Sequence, residues 1–293
     1  MKTSYRNQSG FTLLEVLMVV AMLAIVGGAI ISSYGGLEEK AAKGTATHTI
    51  AAVEEAFRLF EATEGVLPDN LETMLAATPD TPTYVPTELD NSAVGTTGTA
   101  EKAAFIGSKL RGKFTIVDTD PAPLVAAGIT RVRYLDLKGN GTGGTLDIKD
   151  ADGGETTVGD FAAITIPQHA FEAPRPGNKN RGRGYYVNLA GGTTVPLAIW
   201  NSGTNGYDNV KVGGEPLSVL VCLGLGNAST LVGHGVFTNL GHAPFYGHVA
   251  KHEYNHYVAL IDISGSTAKM IAVLDSRGDF LDEEFAEATG QKL

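Results

Sequence analysis

The sequence predicts an α+β protein in which one long N-terminal helix packs on an antiparallel, β-rich C-terminal domain. Three observations support this prediction. Residues 11–34 are almost wholly apolar, residues 35–64 continue with an apolar stripe at helical spacing, and residues 100–293 hold short β-prone runs separated by glycine-containing turns. We therefore expect the first half of the helix to be transmembrane and the second half to be amphipathic.

The composition agrees with this fold class and excludes some functions. Of the 293 residues 37 are glycine, well above the usual ~7% and typical of a chain with many turns. Lys+Arg number 22 and Asp+Glu 32, a net charge of −10 that argues against a general nucleic-acid binder. The single cysteine, Cys222, excludes a disulfide within this chain and a zinc site built from several thiolates.

The apolar run contains one charged residue, Glu15, and is preceded by Lys2 and Arg6 without any acid. A helix over 11–34, at ~1.5 Å per residue, is long enough for a ~30 Å hydrocarbon layer. The preceding positive charges predict a cytoplasmic N-terminus. The run is too long for the apolar region of a secretory signal peptide, and a plain signal anchor stays open as an alternative.

Glu15 is the residue that a plain anchor does not explain. An unpaired carboxylate near the start of a membrane helix costs about 2.5 kcal/mol or more. The nearest cation would be a new backbone amine, which exists only if the chain is cut just before the apolar run. The Gly10–Phe11 bond is the natural position, because a small glycine fits a protease subsite that excludes a bulky residue.

Gly10, Phe11, Glu15 and the apolar run after them resemble the class III leader of bacterial type IV pilins and type II secretion pseudopilins. In that family a membrane peptidase cuts after the glycine, the new N-terminal phenylalanine is methylated, and the glutamate pairs with a neighbouring subunit's N-terminal amine. The resemblance therefore implies a leader over 1–10, cleavage between Gly10 and Phe11, N-methylation of Phe11 and an assembly-register role for Glu15.

The same resemblance implies a filament subunit without catalytic residues, cofactor or metal. The expected partners are a prepilin peptidase/methyltransferase, other pilin or pseudopilin subunits and an inner-membrane assembly platform, with no nucleic acid. The expected location is the inner (cytoplasmic) membrane, in a single pass with the N-terminus cytoplasmic, and then a periplasmic or cell-surface filament. Surface pilus and secretion pseudopilus both stay open, as do major and minor subunit.

The second half of the predicted helix carries its apolar residues on one face. They recur at spacings of four and three, as expected for a helix that packs on a globular domain: Ala46, Ile50, Val53, Phe57 and Phe60. Residues 65–99 are predicted to be a short helix and a linker. Asp69 and Glu72, three residues apart after Pro68, form a plausible capping box that would start this helix.

Beyond the linker the residue pattern predicts strands, of which the last two would form a hairpin across a Ser-Gly-Ser-Thr turn. The predicted strands are 113–119, 129–137, 161–167, 185–190, 194–200, 217–226, 257–263 and 268–275.

An alternative function rests on His252, Glu253 and His256, which match the HExxH pattern. On a helix both histidines would share one face and bind zinc, with Glu253 as general base, and the protein would be a membrane-anchored zinc-dependent hydrolase. The β-prone residues that follow argue against it, because residues four apart in a strand are separated by ~13 Å.

Three charged clusters complete the candidates. Asp147, Asp150, Asp152 and Glu155 resemble a calcium loop but fail the EF-hand spacing. A looser structural calcium site stays open, either there or around Asp275, Asp279 and Asp282, since some pseudopilins hold β-domain loops with calcium. A basic cluster is interpreted as a solvated loop rather than a nucleic-acid patch: Arg175, Lys179, Arg181 and Arg183, followed by Tyr185 and Tyr186.

Overall fold

The computed structural model contains three described helices and thirteen described strands. It describes residues 13–78, 81–82, 106, 110, 112–136, 148–149, 155–156, 169–173, 182, 184–200, 211–212, 215–216, 219–233, 240–247, 249, 254–289 and 291. The helices are α1 (Leu13–Glu64), α2 (Ala122–Ala126) and α3 (Leu281–Thr289). The strands are β1 (Leu71–Thr78), β2 (Thr81–Pro82), β3 (Phe114–Thr119), β4 (Arg131–Asp136), β5 (Ile148–Lys149), β6 (Glu155–Thr156), β7 (Gly184–Asn188), β8 (Val195–Trp200), β9 (Lys211–Val212), β10 (Glu215–Pro216), β11 (Leu220–Gly224), β12 (Val258–Asp262) and β13 (Lys269–Leu274).

Nine of these strands form one sheet, with a main order of β13-β12-β11-β1-β4-β7. β8 pairs with both β11 and β3, and β2 pairs with β1. The prediction of an α+β protein with an antiparallel β-rich domain is confirmed, since every described strand pair within residues 100–293 is antiparallel. The parallel pair of the sheet lies outside that range, because β1, at residues 71–78, runs parallel to β4 with Leu71 opposite Val132.

The sheet buries β11 at its centre. All five residues from Leu220 to Gly224 are buried, as expected for a strand with neighbours on both edges and cover on both faces. Cys222 is among them, and burial raises the pKa of its thiol well above the usual range. The cysteine therefore packs as a small apolar side chain.

The second half of α1 packs on this domain through the predicted stripe. Ala46, Ile50, Val53 and Phe57 are buried, and Phe60 is partly buried against the same core. A hydrogen bond also joins the helix to the sheet, because Glu54 Oε1 accepts the backbone N–H of Val273 at 3.2 Å. The amphipathic interpretation of this half is confirmed.

The short helix predicted after Pro68 is wrong, since Leu71–Thr78 is a strand. A capping box needs the Asp69 carboxylate for N–H groups of its own helix, but Asp69 Oδ1 accepts the backbone N–H of Arg131 at 2.8 Å. Every residue from Leu71 to Leu75 is buried. Pairing on both edges and full burial make this segment an interior strand instead.

Most of the strand predictions are confirmed within a few residues, including the hairpin, in which β12 pairs antiparallel with β13. The predicted strand at 161–167 lies outside the described residues. Over the part of the chain whose residues are described, no helix combines the length and apolar character needed to cross a membrane. The transmembrane assignment of 11–34 stays a prediction.

Candidate functional site

The N-terminal part of α1 exposes apolar surface. Between Leu13 and Val26 all eleven large apolar side chains are more than half exposed. An apolar stretch of this extent marks a surface made for a membrane or a protein partner.

Of the residues predicted to direct assembly, Glu15 is described, and Gly10 and Phe11 lie outside the described residues. Glu15 is exposed and stands in the first turn of α1, where the partial positive charge of the helix N-terminus favours a carboxylate. Its place among apolar neighbours on an exposed helix is compatible with the register role, which stays a prediction.

A second apolar surface lies where α1 meets α3. A cavity of about 740 Å³ opens there, lined by Ala51 of α1 and by Leu281 and Phe285 of α3, among other residues. Phe285 is 53% exposed. The helical stem therefore presents apolar surface beside the sheet as well as at its N-terminal half.

The HExxH pattern does not form a helix in the described part of the segment. His252 and Glu253 lie outside the described residues, whereas residues 254–257 precede β12 and lie in no helix. His256 forms an isolated β-bridge with Phe245. The helical geometry that a zinc site of this type needs is therefore absent at His256.

His256 instead belongs to a buried cluster around Glu72. Its Nδ1 lies 3.0 Å from Glu72 Oε2, and the Tyr254 hydroxyl donates to the same oxygen at 2.6 Å. All three side chains are at most 1% exposed. Two glycines leave room for the cluster, since a Cβ on Gly224 would overlap the Tyr254 hydroxyl and a Cβ on Gly226 would overlap Glu72 Oε1.

The structure describes only a few residues of the two loops that the sequence predicted as a calcium loop and a basic loop. Glu155 lies in β6, while Asp147, Asp150 and Asp152 lie outside the described residues. The four basic residues of the 175–183 segment lie outside them too. Of the two tyrosines that follow, Tyr185 stacks on Tyr134 with ring centroids 6.1 Å apart, and Tyr186 packs under Arg131 at 5.7 Å.

A buried acidic cluster lies between β13 and α3. Asp275, Asp279 and Glu284 bring one carboxylate oxygen each within 4.8 Å of one another, and their exposed fractions are 0%, 3% and 1%. The sequence identified the first two residues. Glu284 takes the place expected for Asp282, which is exposed on the first turn of α3.

A turn with a defined hydrogen-bond pattern fixes this cluster. Asp275 Oδ1 accepts the backbone N–H groups of Arg277 and Asp279 at 2.8 Å each. Lys113 Nζ donates to Asp279 Oδ1 at 3.2 Å and to the backbone carbonyl of Gly278. The Tyr246 hydroxyl lies 3.5 Å from Glu284 Oε1.

Burial and mutual repulsion disfavour full ionisation of the cluster. Desolvation, with the neighbouring Asp275 charge as a further cause, raises the pKa of Glu284 to about 8. Desolvation likewise raises the pKa of Asp275 to about 6. Without a bound cation the cluster therefore keeps a proton on Glu284 at neutral pH.

Comparison with known proteins identifies the N-terminal segment. Residues 5–31 match the model of the prokaryotic N-terminal methylation motif, which supports the predicted resemblance of the chain to type IV pilins and pseudopilins. Type II secretion system core protein G of Aeromonas hydrophila is 39% identical over 56 residues, which are 19% of this chain and 39% of that protein. The corresponding protein of Vibrio cholerae serotype O1 is 38% identical over 63 residues, 22% of this chain and 43% of that protein.

The chain thus spans about two fifths of the length of the curated relatives that it matches. No solved structure matches it. The likeness supports the predicted resemblance to type IV pilins and pseudopilins.

Proposed function

We propose that this chain is a structural subunit of a type IV pilus-like or type II secretion filament, cleaved after Gly10 and N-methylated at Phe11 before assembly. The main support for the proposal is that two features occur in the same segment. The methylation motif at residues 5–31 overlaps an exposed apolar helix, and the continuation of this helix is packed on the β-rich domain.

The exposed apolar side chains from Leu13 to Val26 supply the physical reason for assembly. Apolar surface gains about 25 cal/mol for each Å² removed from water, so this half of α1 is stable only in lipid or against other apolar helices. We infer that residues 11–34 lie in the inner membrane in a single pass, with the N-terminus cytoplasmic, and then enter the core of the filament.

Glu15 gives the assembly its register in this proposal. Its carboxylate is costly in an apolar environment unless it is paired, and the methylated amine of Phe11 on a neighbouring subunit is the partner that cleavage would create. A subunit seated out of register would leave both charges unpaired, so the pairing selects one helix stagger.

The partners follow from these steps. A prepilin peptidase/methyltransferase would process the leader, an inner-membrane platform would drive polymerisation, and further pilin or pseudopilin subunits would complete the filament. The β-rich domain would lie outside the helical core, and the work of the filament would come from polymerisation rather than from a reaction on this chain.

Mass spectrometry of the N-terminal peptide tests the proposal, on a sheared surface fraction and on washed membranes in parallel. We expect a chain that starts with N-methyl-Phe11, and a host without the prepilin peptidase provides the uncleaved control. Abundance in the sheared fraction would assign a surface pilus, and confinement to membranes would assign a pseudopilus or a minor subunit. A chain that still begins at Met1 in both fractions contradicts the proposal.

A further inference from the structure

We propose that the side chains of Lys113 and Asp279 condense into an amide, an isopeptide bond that joins the residue before β3 to the turn after β13. The proposal concerns the β-rich domain and does not depend on cleavage of the leader or on filament assembly. It rests on a buried contact in which Lys113 Nζ lies 3.2 Å from Asp279 Oδ1, between residues 166 positions apart in the chain.

The first argument is that the amine and the carboxyl group are already held together. A lysine amine is a nucleophile toward carbonyl carbon, and fixing two reacting groups in contact is equivalent to a concentration of about 10⁵–10⁸ M. Lys113 Nζ also donates to the backbone carbonyl of Gly278, the neighbour of Asp279. The backbone N–H of Asp279 donates to Asp275 Oδ1 at 2.8 Å. Both reacting side chains are therefore fixed in position.

The second argument is that water is excluded from this contact. The side chains of Lys113 and Asp279 are each 4% exposed. The lysine stem passes over Gly278, where a Cβ would lie 2.8 Å from Lys113 Cδ and 3.2 Å from Leu110 Cδ1. The Trp200 ring lies 5.8 Å from Nζ. A buried ion pair is costly, and a site without water protects the amide from hydrolysis once it has formed.

The third argument is a carboxyl group that holds a proton beside the contact. Asp275, Asp279 and Glu284 bring one carboxylate oxygen each within 4.8 Å of one another. Glu284 shares a side-chain hydrogen bond with Asp275, and desolvation together with the Asp275 charge raises the pKa of Glu284 to about 8. Glu284 therefore carries a proton at neutral pH next to the carboxyl group that must lose an oxygen, which is the position of a general acid.

The reaction balances without any further reactant. The Lys113 ammonium gives one proton to the Asp279 carboxylate, which leaves a neutral amine and a neutral carboxylic acid. The amine lone pair forms a bond to the Asp279 carboxyl carbon, and Glu284 protonates the hydroxyl group as its C–O bond breaks. The nitrogen then returns a proton to Glu284. The products are one amide, one water molecule and an unchanged Glu284.

The bond would give the chain a covalent cross-link that its single cysteine, Cys222, cannot supply within one molecule. It would connect the segment before β3 with the turn that leads into α3. In the unfolded chain it would keep these two distant segments together, which lowers the conformational entropy of the unfolded state as a disulfide does.

Tryptic peptide mass spectrometry of the detergent-solubilised full chain tests the proposal. Trypsin does not cleave after an acylated lysine, so the bond produces a branched peptide in which residues 112–131 are joined to residues 278–292. The mass of this peptide is the sum of the two linear peptides less one water molecule, and fragmentation locates the bond. We expect the branched peptide to replace the linear peptides in the wild-type chain.

Lys113→Arg should abolish the branched peptide, because a guanidinium keeps the positive charge of the ion pair but stays protonated and cannot attack the carboxyl carbon. Lys269→Arg is the matched control. Lys269 is exposed and lies opposite Asp262 in the β12–β13 hairpin, so water reaches this second lysine–aspartate pair. We expect no cross-link there and an unchanged yield of the branched peptide in Lys269→Arg.

Glu284→Gln should slow formation of the branched peptide about 100-fold or more, because the general acid is lost. Samples taken at intervals during cell-free synthesis in detergent give the rate. The wild-type rate should fall once the pH passes about 8, where Glu284 loses its proton, and Glu284→Gln should lack this fall. A purely structural role of Glu284 would not change the pH profile in this way.

Linear peptides alone from the folded wild-type chain, with ordinary cleavage after residue 113, overturn the proposal and leave a buried ion pair. Loss of one water molecule without a branch also overturns it, since a succinimide within residues 278–292 would then be the source. An unchanged rate and pH profile in Glu284→Gln overturns the role assigned to Glu284. If Lys113→Arg fails to fold, the wild-type chain decides, because the branched peptide supports the bond and its absence overturns it.

Discussion

The Tyr254 hydroxyl donates a hydrogen bond to Glu72 Oε2 at 2.6 Å, joining residues 182 positions apart in the chain. Glu72 lies in β1, in the middle of the sheet, and Tyr254 lies ahead of β12. The neighbouring carboxylate raises the pKa of Tyr254 further above its usual range, although burial is the larger cause. The hydroxyl therefore stays protonated and serves as a donor for the buried glutamate.

Tyr254→Phe should destabilise the chain by about 1–3 kcal/mol, because it leaves the buried carboxylate of Glu72 without one of its donors. Chemical denaturation of the full chain measures the loss. Tyr186→Phe, on an exposed side chain of β7, is the control and should change the free energy of unfolding by less than about 0.5 kcal/mol. Equal stability of the two variants would show that the hydrogen bond to Glu72 contributes little.

Phe57→Ala should cost about 3–5 kcal/mol, the range for emptying a buried phenylalanine site. Phe57 is 1% exposed where α1 packs on the sheet, and Leu59, two residues further on the same helix, is 47% exposed. Leu59→Ala is therefore the control. Thermal unfolding followed by circular dichroism compares them, and similar melting temperatures would contradict the packing of this stripe.

Glu15→Leu should abolish filament assembly while leaving cleavage at Gly10–Phe11 and membrane retention intact. The substitution removes the register charge and makes the helix more apolar. Glu55→Leu, which removes an exposed acid from the amphipathic half of the same helix, is the control. Sheared-fraction immunoblots and N-terminal mass spectrometry provide the two readouts, and normal filaments from Glu15→Leu would refute the register role.

The cation-free chain should lose stability as the pH rises from about 5 to about 9. The folded state raises the pKa of Glu284 from an ordinary 4.5 to about 8, so over this interval it binds more protons than the unfolded state. The free energy of unfolding then falls with increasing pH, and the contribution of Glu284 is lost once the pH passes the folded-state value.

Denaturation in EDTA across this pH range measures the slope. Glu284→Gln should flatten most of it, because glutamine does not titrate, and Glu61→Gln on the exposed end of α1 should leave it unchanged. An identical slope in Glu284→Gln and the wild type would show that the dependence comes from another group.

The elements that could be predicted from the sequence are those determined by residues close together in the chain. The stripe from Ala46 to Phe60 requires only helical periodicity and a nearby core, and most of the strands of the β-rich domain require only β-prone runs between turns. β1 was mispredicted because Asp69 and Glu72 have the spacing of a capping box, while their true partners are distant in sequence. Asp69 binds the backbone at Arg131, and Glu72 binds Tyr254.

The candidate sites also differ in whether their residues are contiguous in the sequence or distant from one another. The segment from Gly10 to Glu15 was recognisable because its pattern is contiguous. The acidic cluster was found only in part, since Asp275 and Asp279 share one turn but Glu284 comes from a helix that was not predicted. Lys113 was missed altogether, because no pattern in the sequence brings β3 to a turn 166 residues away. The helix α3 could have been predicted from two features. Phe280 and Glu284 are four residues apart, and acidic residues lie at the start of the segment 281–289.

The unbroken course of α1 from Leu13 to Glu64 has a mechanical consequence. Among the side chains that the structure describes, the first buried residue of this helix is Ala46, so roughly 50 Å of helix axis, at 1.5 Å per residue, separates Leu13 from it. A force applied at the N-terminal end of α1 is transmitted along the helix to the β-rich domain. It acts there on the few side chains of α1 that are buried in the core. The force needed to pull α1 away from the β-rich domain is therefore set first by the burial of Ile50, Val53 and Phe57.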